Sequence, residues 1–233
     1  MKIGIIWSGQ VAQTLGEKLL ELGHEVMVSS RDPDTVKDRG DWGTTPSANQ
    51  WVAAQKGKGH AGAAADSFAD AARFGEVLIN ATSGVASLAA LGAAERGDIE
   101  GKILVDLSNP LDFSRGMPPS LAFCNTESLG ERIQTEYPGA KVVKALNTVS
   151  VRVMVATQAL PEETDLIVAG NDADAKKWVI DELIKGWLGW KRVIDLGDIT
   201  NARGTEMYIP LWVRLFGVAG TPLVNIKVVA AKS

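Results

Sequence analysis

The sequence predicts an α/β fold, a doubly wound and mainly parallel sheet, and three observations predict it. Short apolar runs of strand length alternate with segments of helical spacing through the first two thirds of the chain. A glycine-bearing turn, Trp7-Ser8-Gly9-Gln10-Val11-Ala12, directly follows the first run. Small, hydroxyl or amide residues follow the later ones.

The runs occupy residues 2–7, 25–29, 60–64, 77–80, 103–107 and 141–145, the third short and rich in alanine. Between the first two, Val11, Leu15, Leu19 and Leu20 recur at the spacing of one helix face, and Gly23 stands where a helix-ending glycine belongs. Residues 32–59 exceed an ordinary strand-to-helix connection. With Pro33, Trp42, Pro46 and Trp51 they read as an insertion holding one short helix over 46–56. Beyond Asn147 come a strand over 165–169, a helix over 173–188 and a strand over 191–196. An apolar segment over 205–219, broken by Pro210, and a last strand over 223–229 complete the chain. The expected division is a Rossmann-type domain over 1–150 and a small C-terminal α/β domain for substrate and dimerisation over 151–233.

At 233 residues the chain fits one large domain or an ordinary domain with a small companion. A composition of 45% hydrophobic and 22% charged residues is that of a globular protein. No apolar run is long enough to span a bilayer, since the best, 207–220, is short and carries Arg214. A net charge of -4 without a basic cluster interleaved with aromatics argues against nucleic acid as a partner. Met1-Lys2 leads straight into the first strand, leaving no room for a signal peptide, and the lone Cys124 cannot form an internal disulfide. A reducing, cytoplasmic setting, no dedicated metal site and a small-molecule partner are the resulting expectations.

A strand, a glycine turn and a helix together form a phosphate-binding device, because the helix offers free amides and a partial positive charge. Gly9 and Ala12 match the second and third small positions of the dinucleotide fingerprint. The first glycine is replaced by Trp7, whose side chain should crowd the turn. The alternative is a tight turn with no ligand. The second strand ends in Val28-Ser29-Ser30-Arg31, where NAD-specific sites place an acid for the ribose hydroxyl. No acid stands there, and the hydroxyls with the Arg31 guanidinium suit the 2′-phosphate of NADP. The alternative is a surface arginine paired with Asp32 or Asp34. Ligands of open parallel sheets lie beyond the carboxyl ends of the strands, which singles out Thr82 and Ser83, Asn109, and Asn147 as a border for ribose and nicotinamide. These are also ordinary turn residues.

The run Gly4-Ile5-Ile6, the turn Ser8-Gly9-Gln10-Val11 and Ser29-Ser30-Arg31 resemble the deazaflavin-dependent NADP reductase family. Lys144-Ala145-Leu146-Asn147-Thr148 and Asn225-Ile226-Lys227-Val228 are similar too, and the likeness reaches the reductase domain of six-transmembrane ferric reductases. The resemblance implies a homodimer and hydride transfer between NADP(H) and a deazaflavin coenzyme, factor 420. It implies that Ser8, Gly9, Gln10 and Val11 face the pyrophosphate and Ser30 and Arg31 the 2′-phosphate; Trp7, counted with the cofactor-binding residues, replaces the family's glycine, and Thr35 stands where some members carry a lysine. No catalytic acid–base cluster is discernible, and hydride transfer between two rings requires none. Reduction of an imine or carbonyl, or nucleotide sensing without catalysis, are the alternatives. Met207, Tyr208, Pro210, Leu211 and Trp212 are candidates for a second-substrate wall or a packed interface.

Overall fold

The structure is a computed structural model that describes residues 1–38 and 43–231. Trp42 lies outside the described residues. β1 (Lys2–Ile6) leads into α1 (Gln10–Glu21), which buries Ala12, Leu15, Leu19 and Leu20 on one face. Gly23 ends the helix at φ +85°, a conformation a side chain would strain, and hands the chain to β2 (Glu25–Ser29).

The insertion forms a small antiparallel hairpin of β3 (Lys37–Asp38) and β4 (Thr44–Thr45) besides the expected helix, α2 (Ala48–Gly57). A reciprocal capping box between Ser47 and Gln50 starts α2, and its Trp51 packs into the core. β5 (Ala63–Asp66) begins later than the apolar pattern suggested, because the amides of Gly59 and His60 still bond back to Lys56 and Gln55 in the turn leaving α2. α3 (Phe68–Phe74), β6 (Val77–Asn80), α4 (Ser87–Leu91) and β7 (Ile103–Asp106) follow. A second small hairpin, β8 (Leu111–Asp112) with β9 (Ser120–Leu121), precedes α5 (Leu129–Glu136) and β10 (Lys141–Lys144).

After α6 (Val151–Val155) come β11 (Asp165–Gly170) and α7 (Ala173–Trp178). α7 widens into a π-helical stretch over Val179–Trp187, so the expected helix is present but not α-helical throughout. β12 (Arg192–Asp195) and α8 (Ala202–Ala219) complete the order. The eight main strands lie in the sequence β12-β11-β10-β7-β6-β1-β2-β5. Every pairing is parallel except β10 with β11. From β5 to β10 this is the doubly wound order, with its switch point between β1 and β6. One core, with α1, α2 and the π-helical stretch, covers one face; the other, with α3, α4 and α5, covers the opposite face.

Two expectations for the end of the chain are corrected. α8 runs unbroken through Pro210, its N-terminal half held by the buried Ala202, Thr205, Glu206 and Ile209. Packing on that face outweighs a proline penalty of about 3 kcal/mol. No strand forms over 223–229. The segment meets the start of β11 by one backbone bond, Asp165 N to Ile226 O at 3.1 Å, while side chains replace the rest of a ladder. Asn225 Nδ2 donates to Asp165 O (3.0 Å), and the Asp165 carboxylate accepts from Val228 N (2.7 Å).

Candidate functional site

The carboxyl ends of β1, β6, β7 and β10 open on one cleft of about 420 Å³. It brings together Trp7, Gly9, Gln10, Val11, Thr82, Ser83, Asn109 and Asn147, all singled out in the sequence. Gly9 caps α1 without a side-chain acceptor, and no acid stands in the first turn, so the positive end of the helix dipole is uncompensated by side chains at the cleft. Ser8 is buried under the turn and accepts from Lys37 Nζ at 3.2 Å.

Trp7 sits at φ +119°, the conformation a glycine would adopt freely and an L-residue holds at a cost of about 1–3 kcal/mol. Its backbone is fixed from both sides: Trp7 N donates to Ser29 Oγ (3.1 Å), and Ser29 N donates to Trp7 O (3.0 Å). The indole stacks on Phe68, with centroids 5.9 Å apart and planes 9° from parallel, and Lys37 Nζ stands 4.6 Å from its ring centre. The side chain therefore borders the cleft instead of plugging it. It also borders a small side cavity with Arg31, Phe68, Ala86, Ala89 and Ala90.

Ser30, Arg31 and Thr35 do not line the main cleft. The Ser30 hydroxyl donates to Asp32 O (2.9 Å), and that of Thr35 donates to Asp32 Oδ2 (2.6 Å), which with the Asp34 amide holds the Asp32 carboxyl below its usual range. Arg31 is exposed at the side cavity and pairs with neither Asp32 nor Asp34.

The floor of the cleft rests on a buried charged cluster that sequence reading missed. Asn80, Asp106 and Lys144 are the last residues of three adjacent strands and stand in register, Asn80 beside Asp106 and Asp106 beside Lys144. Lys144 Nζ is 2.8 Å from Asp106 Oδ2 and 2.8 Å from Glu206 Oε1 of α8, and donates to the Ser108 carbonyl. Burial alone would push the Lys144 ammonium down; the two carboxylates overcome it and hold the group above its ordinary value. Asp106 Oδ1 accepts from Asn80 Nδ2 (2.9 Å) and Ser108 N (3.1 Å), while Glu206 accepts from the amides of Leu129 and Gly130 that open α5. The legible signal was a polar residue directly after the apolar run of each of three strands.

Above this floor, Gly84 lets the loop after β6 approach the one after β7, since a Cβ there would lie 2.2 Å from Asn109 O. Asn109 and Asn147 exchange bonds: Asn109 Nδ2 donates to Asn147 O and Asn147 Nδ2 to Asn109 Oδ1, each at 2.9 Å. Leu146, just before, is wholly buried at φ +62°. Asn147 Oδ1 and Ser150 Oγ are buried without a partner, a condition that costs about 1–3 kcal/mol per group unless a ligand or water meets it. Leu111, Phe113, Val149 and Met154 give the cleft an apolar side, with Phe113 54% exposed. Among the described residues, none that lines the cleft is ionisable. Met207, Tyr208, Pro210, Leu211 and Trp212 are not among them; Met207, Leu211, Leu215 and Val218 instead leave an exposed apolar stripe along α8.

A family model described as NADP oxidoreductase, coenzyme F420-dependent, matches residues 2–110. The crystal structure of a protein from Arthrobacter sp. FB24 assigned as an F420-dependent NADP-reductase superposes with a TM-score of 0.87 at 45% identity, over 99% of this chain and 100% of that one. The chain belongs to the F420-dependent NADP oxidoreductase family. Similarity extends to the F420-dependent NADP reductase of Methanocaldococcus jannaschii, 32% identical over 147 residues, which are 63% of this chain and 64% of that protein. It extends also to Metalloreductase STEAP3 of Rattus norvegicus, 30% identical over 217 residues, 90% of this chain but 36% of that protein. The chain thus spans less than two thirds of the length of either curated relative. No helix among the described residues of this family member is long and apolar enough to cross a membrane.

The cleft of this family member fits a phosphorylated dinucleotide on its own geometry. It offers an uncompensated helix end, two cations beside the Trp7 indole and buried polar atoms without partners at its far side.

Proposed function

We propose that the chain is an NADP(H)-dependent oxidoreductase that exchanges hydride with a flat, deazaflavin or flavin-like acceptor in the cleft at the sheet's switch point. The observation that carries this reading is a cleft without an ionisable lining side chain among the described residues. Ring-to-ring hydride transfer requires positioning and dryness from the protein, whereas imine or carbonyl reduction requires a proton donor at the reacting atoms.

Bound NADPH supplies the hydride from its nicotinamide ring. The amides at Gly9, Gln10 and Val11 would hold the pyrophosphate, with Ser8 and Lys37 supporting the turn from below and beside it. Arg31, with Ser30 at its side, would take the 2′-phosphate at the side cavity, which meets the main cleft at the Trp7 indole. Thr82, Ser83, Asn109 and Asn147 would border the ribose and nicotinamide, and Leu111, Phe113, Val149 and Met154 would exclude water from the acceptor ring. Thr35 serves this arrangement by shaping the loop through Asp32.

Residues 151–233 act in this reading as the substrate and dimerisation unit: Val151 and Met154 enter the cleft, and the exposed stripe on α8 packs against a second copy. The protein works in the cytoplasm on a small-molecule redox partner.

Calorimetric titration with NADPH and NADH, followed by a deazaflavin reduction assay, tests the function. Tight NADPH binding with turnover is the expected result; binding without turnover of any flavin-like acceptor would leave a nucleotide sensor, and no binding would end the redox reading. Sedimentation equilibrium, with Leu211→Glu weakening the dimer, tests the α8 contact.

A further inference from the structure

The buried cluster beneath the cleft carries an unbalanced charge. Lys144 Nζ meets three acceptors, Asp106 Oδ2, Glu206 Oε1 and the Ser108 carbonyl, one for each N–H of an ammonium. Among the described residues, every hydrogen-bond partner of the two carboxylates is a donor. Asp106 accepts from Lys144, Asn80 Nδ2 and Ser108 N, and Glu206 from Lys144 and the amides of Leu129 and Gly130. A proton on either carboxylate would point at a donor, so both are ionised. Two anions and one cation, none of the side chains more than 3% exposed, leave one negative charge in excess. The positive end of α5, which Glu206 caps, offsets about half of it. Neighbouring charges cancel in pairs, Arg132 with Glu127 and Arg203 with Glu131.

Burying an unbalanced charge costs stability, and folds keep such features where function uses them. Position defines what this one acts on. Ser108, bonded to both Asp106 and Lys144, lines the cleft, whose described lining brings no charge of its own. Lys37 and Arg31 stand at the Trp7 end, two to three strands away in the sheet, on the order of 10–14 Å. The cleft is thus positive at its phosphate end and negative beneath the other. A nicotinamide ring is neutral when reduced. Giving up a hydride, one proton with two electrons, to a flavin-like acceptor leaves the ring positively charged, and a fixed anion attracts the charge that develops.

We propose that the excess negative charge of the Asp106, Lys144 and Glu206 cluster favours the oxidised, cationic nicotinamide over the reduced one and so makes bound NADPH a stronger hydride donor. This rests on the dinucleotide reading above and adds to it the oxidation state the site prefers.

Calorimetric titrations with NADP+, NADPH and adenosine 2′,5′-bisphosphate, which has no nicotinamide, test it. A unit charge acting over about 10 Å of protein changes an affinity roughly tenfold. Glu206→Gln removes the excess and should raise the ratio of the NADP+ to the NADPH dissociation constant about tenfold, with bisphosphate binding as in the wild type. Asp106→Asn, which removes the same charge from β7 instead of α8, should shift the ratio the same way. A role confined to holding the fold would weaken both nucleotides together and leave the ratio where it was. An unchanged ratio in either variant that holds the bisphosphate, or loss of the bisphosphate by both variants, overturns the proposal alone. No bisphosphate binding to the wild type overturns the dinucleotide reading and this proposal together.

Discussion

Two turns bound the cleft, and both begin on a residue held at positive φ that is not glycine: Trp7 after β1 at +119° and Leu146 after β10 at +62°. They are supported differently. The first is held by backbone bonds to Ser29 and by an aromatic stack open to solvent on one side. The second is wholly buried and follows directly on the Lys144 cluster, whose carboxylates reach to α8. Strain at the first turn is held by a shallow contact; at the second it is locked by buried charge. Similar backbone strain should therefore respond differently to the same relief.

The largest effect is expected where that lock is opened. Lys144→Met leaves the Asp106 and Glu206 carboxylates buried without their cation, and losing one member of a buried ion cluster costs about 3–5 kcal/mol. Denaturant unfolding should show a lower midpoint, with an unchanged slope. A loss below about 1 kcal/mol would mean the site is hydrated like a surface pair and would erase the contrast between the turns.

Next is Leu146→Gly. Relief of backbone strain, about 1–3 kcal/mol, is outweighed by deleting a buried leucine at about 2–5 kcal/mol and by added chain flexibility near 1 kcal/mol. A net loss of about 2 kcal/mol in the same unfolding measurement is expected. A stabilised variant would show that the strain, and not the packing, dominates this turn.

The two turns also differ in how far they could be read beforehand. The first was legible because a glycine turn after a strand is a local pattern, and because period and length identify the strands on either side. Lys37 carries no such local signal, because only the hairpin geometry brings the lysine over Trp7. At the β10 turn, Asn147 could be picked out as a residue past a strand end, but its support could not. Asp106, Lys144 and Glu206 are 38 and 62 residues apart along the chain, and only strand register and the path of α8 bring them together. The tail was misread for a related reason: 223–229 has strand composition, but Asp165 and Asn225 spend their side chains on bonds a ladder would have used.

Arg31→Ala probes the first turn's electrostatics. Arg31 has no carboxylate partner among the described residues; if it takes the 2′-phosphate, as proposed, a charge-assisted contact is worth about 1.5–3 kcal/mol. NADPH affinity should fall roughly tenfold to a hundredfold while NADH affinity stays constant, read by parallel titrations. An equal loss for both nucleotides would place Arg31 on the adenine or the fold instead of the 2′-phosphate.

The smallest change in stability is expected from Trp7→Gly, and it bears most directly on the comparison. Glycine releases strain of about 1–3 kcal/mol, while the lost stack on Phe68 and the more flexible chain withdraw a similar amount. Stability should move by no more than about 1 kcal/mol, against the clear loss at Leu146. Binding should respond where stability does not: removing the indole joins the main cleft to the Arg31 cavity and takes away the ring beside which Lys37 Nζ stands, clearing room for a phosphate between the two cations. NADPH affinity is expected to rise about fivefold, a gain of the size of one neutral hydrogen bond. If affinity instead falls, the indole is itself part of the nucleotide's binding surface, and the residue in the glycine position contributes a contact worth more than the strain it imposes.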